Sequence, residues 1–333
     1  MKKAAIILIV LAAAAAVYVR REDIFTPKGK IIERSRFTMD TICTIQAPNV
    51  IGASRTRAAI NKALDRMSEI GVKFNCTSPD SPLYQFNHYR TPIKDPELVA
   101  LIKYSLDTSR DTGGANDPTV EPLEDLWGFY TTSKSSGTVP SQAAIRAALA
   151  KTGWRKIIVR NGEVTATDKN VCLDLGSIAK GYAIGEAEKV LKAEGIPSAL
   201  IIGGGQVQAF GHPAPGRNWK VGVRNPRHDG YMASLEFPKE DGISTAGDYE
   251  RYFIVNGVRY HHIMDPATGY PARGAMSVSV IMPDPTDADA LDTSLFVMGP
   301  RKAMAYLKKH PAIGYIFVDS KGKIFSSRGN AGS

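Results

Sequence analysis

Asp289 and Thr293 stand four residues apart in Ala-Asp-Ala-Leu-Asp-Thr-Ser-Leu-Phe (288–296), where the apolar spacing predicts a helix over Ala288–Met298. Side chains at i and i+4 of a helix share a face, so a carboxylate and a hydroxyl project together. Two hard oxygens one turn apart suit Mg2+, which keeps several waters and takes further oxygens from a substrate phosphate. The same letters also make a plain acidic helix start, with Asp287 and Asp289 against the positive end of the dipole. Spacing alone leaves both readings open.

Three other segments carry groups of this kind. In Leu173–Ala183 a predicted strand starting at Val171 runs into Gly176-Ser177 and a helix beginning near Ile178. That arrangement leaves backbone N–H groups free to meet an anion, with Lys180 as a point charge beside them; a strand-to-helix turn carrying a solvated lysine reads the same. Asn116-Asp117-Pro118-Thr119 predicts a turn that holds the Asp117 carboxylate rigid, for a ligand or for the turn itself. His261 and His262 are neighbours on a predicted strand, so their side chains point to opposite faces and cannot chelate one ion together. One of them can face a site as a general base while the other packs or meets solvent.

Common nucleotide and hydrolase signatures are missing. Gly203–Gly211 is not a dinucleotide fingerprint, because the third glycine would fall at Gln208. No P-loop, no G-x-S-x-G and no H-E-x-x-H occurs.

The elements that must position these residues alternate in groups. A strand is expected over Phe37–Gln46 and helices over Ser54–Gly71, Asp95–Gly113 and Ser141–Thr152. Asn161-Gly162 predicts a hairpin between Lys156–Arg160 and Glu163–Thr167, and Asn256-Gly257 another between Arg251–Val255 and Arg259–Ile263. A helix over Ala179–Ala193 precedes strands at Ala199–Ile202, Gln206–Phe210, Trp219–Arg224 and Met232–Phe237. Ser277–Met282 and Ile313–Asp319 are further strands around helices at Ala288–Met298 and Arg301–His310. Hairpin-joined strands with inserted helices predict an α+β fold with a mostly antiparallel sheet. No Pro/Gly/Ser-rich stretch divides it, so one compact catalytic unit is expected over 37–328, after a linker at 22–36.

Lys2 and Lys3, the apolar run Ala4–Val19, then Arg20 and Arg21 have the layout of a signal peptide or signal anchor over 1–21. Export follows, to the periplasm or to the periplasmic face of the inner membrane, with a possible tether through 4–19. The net charge of +9 falls to +5 without residues 1–21, at 38 basic against 33 acidic residues. No Lys/Arg run is interleaved with aromatics, so nucleic-acid binding is not expected. Cys43, Cys76 and Cys172 are too widely spaced for a metal motif and read as small core residues.

Eight blocks in register resemble the ApbE-like family of FAD:protein FMN transferases: Phe37–Thr41, Ser78–Asn87, Asp117–Phe129, Asp174–Ala183, Trp219–Pro226, Ile243–Phe253, His262–Pro271 and Ala288–Gly299. The resemblance implies a T-fold-related α+β unit that splits FAD at its pyrophosphate with Mg2+. FMN passes to a threonine hydroxyl in an S-G-A-T-like motif and AMP leaves. Acceptors would be flavoprotein subunits of membrane electron-transfer complexes.

By matching position, Asp289, Thr293 and the Ala179 carbonyl become Mg2+ ligands, and Met39, Asp117 and Tyr84 become flavin or adenine contacts. Lys180, Thr245, Asp248 and His262 would line the phosphates and the reacting centre, with Asp117, Asp248 and His262 as the catalytic set. His262 is expected to deprotonate the acceptor threonine from a pKa near neutrality, and His261 to face outward. Gly205, Ala246 and Asp40 depart from the commoner family residues. Two other activities stay compatible with these residues: an FAD pyrophosphatase with water as acceptor, and a non-catalytic extracytoplasmic FAD-binding protein.

Overall fold

A computed structural model describes residues 29–129 and 137–327; the predicted export segment lies outside them. Alternating and fully buried β-branched stretches form an eight-stranded antiparallel sheet. Its order is β1 (Ile31–Thr38), β2 (Thr41–Pro48), β5 (Ala199–Gly203), β6 (Gln206–Phe210), β9 (Asp241–Gly247), β12 (Ala275–Met282), β13 (Gly314–Asp319), β14 (Ile324–Ser326). Three two-stranded ribbons complete the strands among the described residues: β3–β4 (Ile157–Arg160, Glu163–Ala166), β7–β8 (Trp219–Arg224, Tyr231–Phe237) and β10–β11 (Tyr252–Val255, Val258–His261). The expected α+β architecture is what is found.

The long helices cover the sheet because their apolar faces have nowhere else to go. Helix α1 (Ala53–Lys73) buries Ala59, Ile60, Ala63, Leu64, Met67 and Ile70 against β1 and β2. Helix α6 (Ala179–Ala193) joins the same core through Ala183, Ile184, Ala187 and Leu191. Helix α7 (Pro285–Lys309) packs Leu295, Phe296 and Ala303 on β12 and β13. The shorter helices are α2 (Pro82–Tyr89), α3 (Pro96–Asp111), α4 (Glu121–Leu126) and α5 (Gln142–Leu149). Starts are set locally: Asp95 accepts the N–H of Leu98 at 2.9 Å with Pro96 behind it, and Asp284 caps α7 in the same way.

Several expectations are corrected. The strand expected over Phe37–Gln46 is a hairpin, β1–β2, and β1 takes in residues 31–36 of the expected linker. Its turn is Met39-Asp40, both with positive φ (53° and 57°); this geometry normally carries Asn-Gly, so no sequence signal marked it. No strand forms at Val171. There the Asn87 side chain takes the place of a neighbouring strand, donating to the Leu173 carbonyl at 2.9 Å and accepting from its N–H at 2.7 Å. The two C-terminal helices do form as expected, abutting in one run, α7, that kinks at Gly299 (φ 68°, ψ 172°) ahead of Pro300. Strand β9 went unforeseen because Asp241-Gly242 and Ala246-Gly247 bracket only three residues of strand character.

Candidate active site

One end of the sheet opens into a cavity of about 520 Å3, floored by β9, α6 and α7 and walled by the β1–β2 turn, α4 and the segment after β11. Met39, Asp117, Ala179, Lys180, Thr245, His262, Asp289 and Thr293 all line it. Eight of the ten residues singled out from the sequence are thus brought together across more than two hundred residues of chain.

Helices α6 and α7 meet closely because Gly181 has no side chain. A Cβ there would run into the Pro285 carbonyl and stand 2.7 Å from Asp289 Cβ. The approach lets Asp289 Oδ2 accept the Gly181 N–H at 2.8 Å. Asp174 Oδ1 likewise accepts from Gly176 N at 2.5 Å. Two amides expected to await an anion are therefore already satisfied, which corrects that part of the sequence reading. Lys180 Nζ rests on the Gly176 carbonyl at 2.9 Å, at the cavity rim.

Asp289 and Asp292 are each 3% exposed and lie on the same wall. Burial, with the Asp289 charge added, pushes the Asp292 carboxyl well up. Asp292 accepts from Ser244 Oγ at 2.5 Å and from Thr293 Oγ1 at 3.0 Å. Two buried carboxyls, a hydroxyl and the Ala179 carbonyl make an all-oxygen donor set whose repulsion a cation would relieve. Among the described residues no cluster of three or more His, Cys, Asp or Glu side chains forms a metal cage. A hard divalent ion that keeps waters and shares substrate phosphates fits such a set better than a zinc-type ion.

The two histidines do face opposite ways, but His261 is the inner one. It is 3% exposed, donates from Nε2 to the Ala272 carbonyl at 2.9 Å and meets Phe296 edge-on at 5.3 Å. Burial holds it down at about 4. The outward-facing reading of His261 is therefore corrected: the α7 side of the ribbon is core, and the cavity is the open side. His262 enters the cavity wall with its N–H bonded to the Arg251 carbonyl at 3.1 Å. Burial, then the positive charge of Arg251, pushes its pKa well below the ordinary value, not near neutrality as expected. Its Nδ1 is buried with no hydrogen-bond partner, so Nε2 is the nitrogen left to the cavity. The turn after it is held by Asp265, which accepts from Ala267 N, Thr268 Oγ1 and Gly269 N.

Asp117 is fixed from three sides, by Thr119 N (2.9 Å), Thr119 Oγ1 (2.6 Å) and Trp154 N (3.0 Å). Burial raises its pKa against those bonds. Two predicted residues do not reach the cavity lining. Tyr84 stacks on His88 at 3.8 Å. Asp248 is held in a two-bond ion pair with Arg227, at 2.7 and 2.6 Å, and both its oxygens are thereby occupied. Residues missed in the sequence are Asn116, Glu124, Asp174, Arg251 and Asp292. Asp292 alone carried a usable signal, since it lies three residues after Asp289 on the same helix.

The family model for "ApbE family" matches residues 39–317. The chain belongs to the ApbE family. A relative from Treponema pallidum named FAD:protein FMN transferase is 31% identical over 318 residues, covering 89% of this chain and 86% of its own length. Another of that name from Klebsiella pneumoniae is 32% identical, covering 84% and 82%. The crystal structure of the ApbE protein of Thermotoga maritima superposes with a TM-score of 0.83 at 34% identity, over 90% of this chain and 97% of that one. The apo flavinyl transferase ApbE of Pseudomonas stutzeri gives 0.79 at 29%, over 90% and 95%. ApbE membership agrees with the single α+β unit.

Proposed function

We propose that this ApbE-family enzyme is an FAD:protein FMN transferase that acts with Mg2+ on a threonine hydroxyl of an acceptor flavoprotein and releases AMP. The observation that carries the reading is the convergence of Asp289, Thr293, Ala179, Lys180 and His262 on one cavity. Phosphoryl-type transfer needs an aligned nucleophile and neutralised phosphate charge more than covalent help from the protein. Asp289, Asp292, Thr293 and the Ala179 carbonyl would hold the ion, whose chemistry when bound is to neutralise the diphosphate.

The residues of the chain supply the rest. Lys180 places a positive charge at the rim where α6 begins. His262, neutral because of its burial, accepts the hydroxyl proton at Nε2 as the threonine oxygen bonds to the FMN phosphorus. The pyrophosphate P–O bond breaks, AMP leaves with the bridging oxygen, and the proton passes on to solvent. Asp117 positions: it ties the 117–119 turn to Trp154 and so fixes the wall beside the rings. The N-terminal pattern supports export, with a tether through 4–19, and acceptors in membrane electron-transfer complexes fit that location. Among the described residues no helix is long and apolar enough to cross a membrane.

The test uses residues 22–333 with FAD, Mg2+ and a peptide containing S-G-A-T. Intact mass should rise by one esterified FMN with AMP released, and EDTA should abolish both. AMP released with neither this peptide nor a full acceptor protein modified would make the enzyme a pyrophosphatase. FAD bound with no AMP formed would leave a binding protein.

A further inference from the structure

Glu124 lines the cavity yet has no part in the chemistry above. It sits on the one-and-a-half-turn helix α4, anchored on either side by Leu123 and Trp127, both 0% exposed, so its position is fixed by core packing. Its charged neighbours on the wall are already engaged. Asp174 accepts from Gly176 N and from Cys76 Sγ, the latter at 3.3 Å, and Arg251 donates to the Phe129 carbonyl at 3.1 Å. Asp117, across the same wall, has three donors on its carboxylate. Among the described residues none hydrogen-bonds the carboxyl of Glu124. A half-buried acid serving the fold would be paired as Asp117 is; one that no described residue pairs, in a binding cavity, is available to a ligand.

We propose that the Glu124 carboxyl recognises the polar edge of one of the two heteroaromatic rings of FAD, where an N–H stands beside a ring acceptor. The inference rests on the transferase reading of the cavity. Burial, with the Asp174 charge acting in the same direction, pushes Glu124 up to about 8, so at neutral pH it keeps its proton. A protonated carboxyl offers an O–H donor beside a carbonyl acceptor. That pair matches N3–H with its flanking carbonyl on the isoalloxazine, or the N6 amino group with N1 on adenine. A carboxylate would accept from such an edge but would leave the ring acceptor facing negative charge. Glu124 would thus select the ring by its hydrogen-bond pattern while Asp117, already satisfied, shapes the wall.

The experiment measures dissociation constants for FAD, FMN and ADP at pH 7 in wild type, Glu124→Gln and Glu124→Ala. Glutamine keeps a donor beside an acceptor and alanine keeps neither. Glu124→Ala should weaken FAD on the order of 10-fold, the usual size of a lost ligand hydrogen-bond pair, and Glu124→Gln should stay close to wild type. The same loss should appear with FMN and not ADP if the flavin ring is read, or with ADP and not FMN if adenine is; the unaffected ligand also shows that the variant is folded. Unchanged FAD affinity in Glu124→Ala, or equal losses in both variants, overturns the assignment. Wild type that binds no FAD at all would sink the transferase reading, and this inference with it.

Discussion

Oδ2 of Asp289 accepts the backbone N–H of Gly181 at 2.8 Å, so a side chain of α7 closes the first turn of α6. The two helices that floor the cavity are tied together by this bond, and the missing Cβ of Gly181 makes the bond possible. Gly181→Ala puts a methyl group into the Pro285 carbonyl and against Asp289 Cβ. Overpacking of this kind costs about 1–3 kcal/mol. Urea midpoints should fall accordingly, and FMN transfer should drop more than FAD binding does, since Asp289 moves relative to Ala179. An unchanged midpoint would show that the helices have slack there.

Asp289→Asn separates the structural bond from the charge. Asparagine retains an oxygen for the Gly181 N–H, so thermal stability should stay near that of wild type. Transfer should fall roughly 100-fold, equivalent to about 2.7 kcal/mol of transition-state stabilisation. Full activity with an unaltered Mg2+ requirement would remove Asp289 from the ion site.

His261 gives the fold an acid-side weakness. Its pKa is about 4 in the folded chain because of burial, against roughly 6.5 when unfolded. The unfolded chain therefore binds more protons between those values. The stability is present above about pH 6.5 and is lost as pH falls toward 4, by roughly 3 kcal/mol in all. His262, lowered in the same direction, adds to the slope. Denaturant titrations of His261→Gln across this range should show a shallower pH dependence than wild type. Equal slopes would mean that the ring is reached by water in the native state.

Much of this site was legible because its chemistry is local. Asp289 and Thr293 share a helix face, and His261 and His262 alternate on a ribbon, so periodicity alone assigned their geometry. What periodicity cannot supply is which side of an element faces the core. The sequence around His261 does not announce Phe296 or Ala272, its partners in the fold, and so reads as outward-facing. Glu124 and Arg251 carry no signal for the same reason, since they come to one cavity only when α4 docks beside the β10–β11 ribbon. The motif around Asp248 points to the site, whereas Arg227, two strands earlier, holds its carboxylate. The Met39-Asp40 turn adopts a backbone shape that its residue types do not favour, so the hairpin registers only in three dimensions.

Trp127 connects the aromatic core to the catalytic wall. Its ring is 0% exposed, stacks on Tyr260 at 5.3 Å, and donates from Nε1 to the Gly269 carbonyl at 2.9 Å. Gly269 ends the turn that follows His262, so the bond holds one end of the segment carrying that ring. Trp127→Phe removes the donor, strands a buried carbonyl and leaves a small void. Each of these lowers stability, together by about 1–3 kcal/mol. The effect on turnover should be on kcat: His262 loses its fixed position, while Asp289 and Lys180, on the cavity floor, stay where the proposed diphosphate site needs them. A loss of about 10-fold in kcat with KM for FAD little changed is expected, since small misplacements of reacting groups are costly. If KM rose and kcat held, Trp127 would serve the flavin pocket and not the placement of His262.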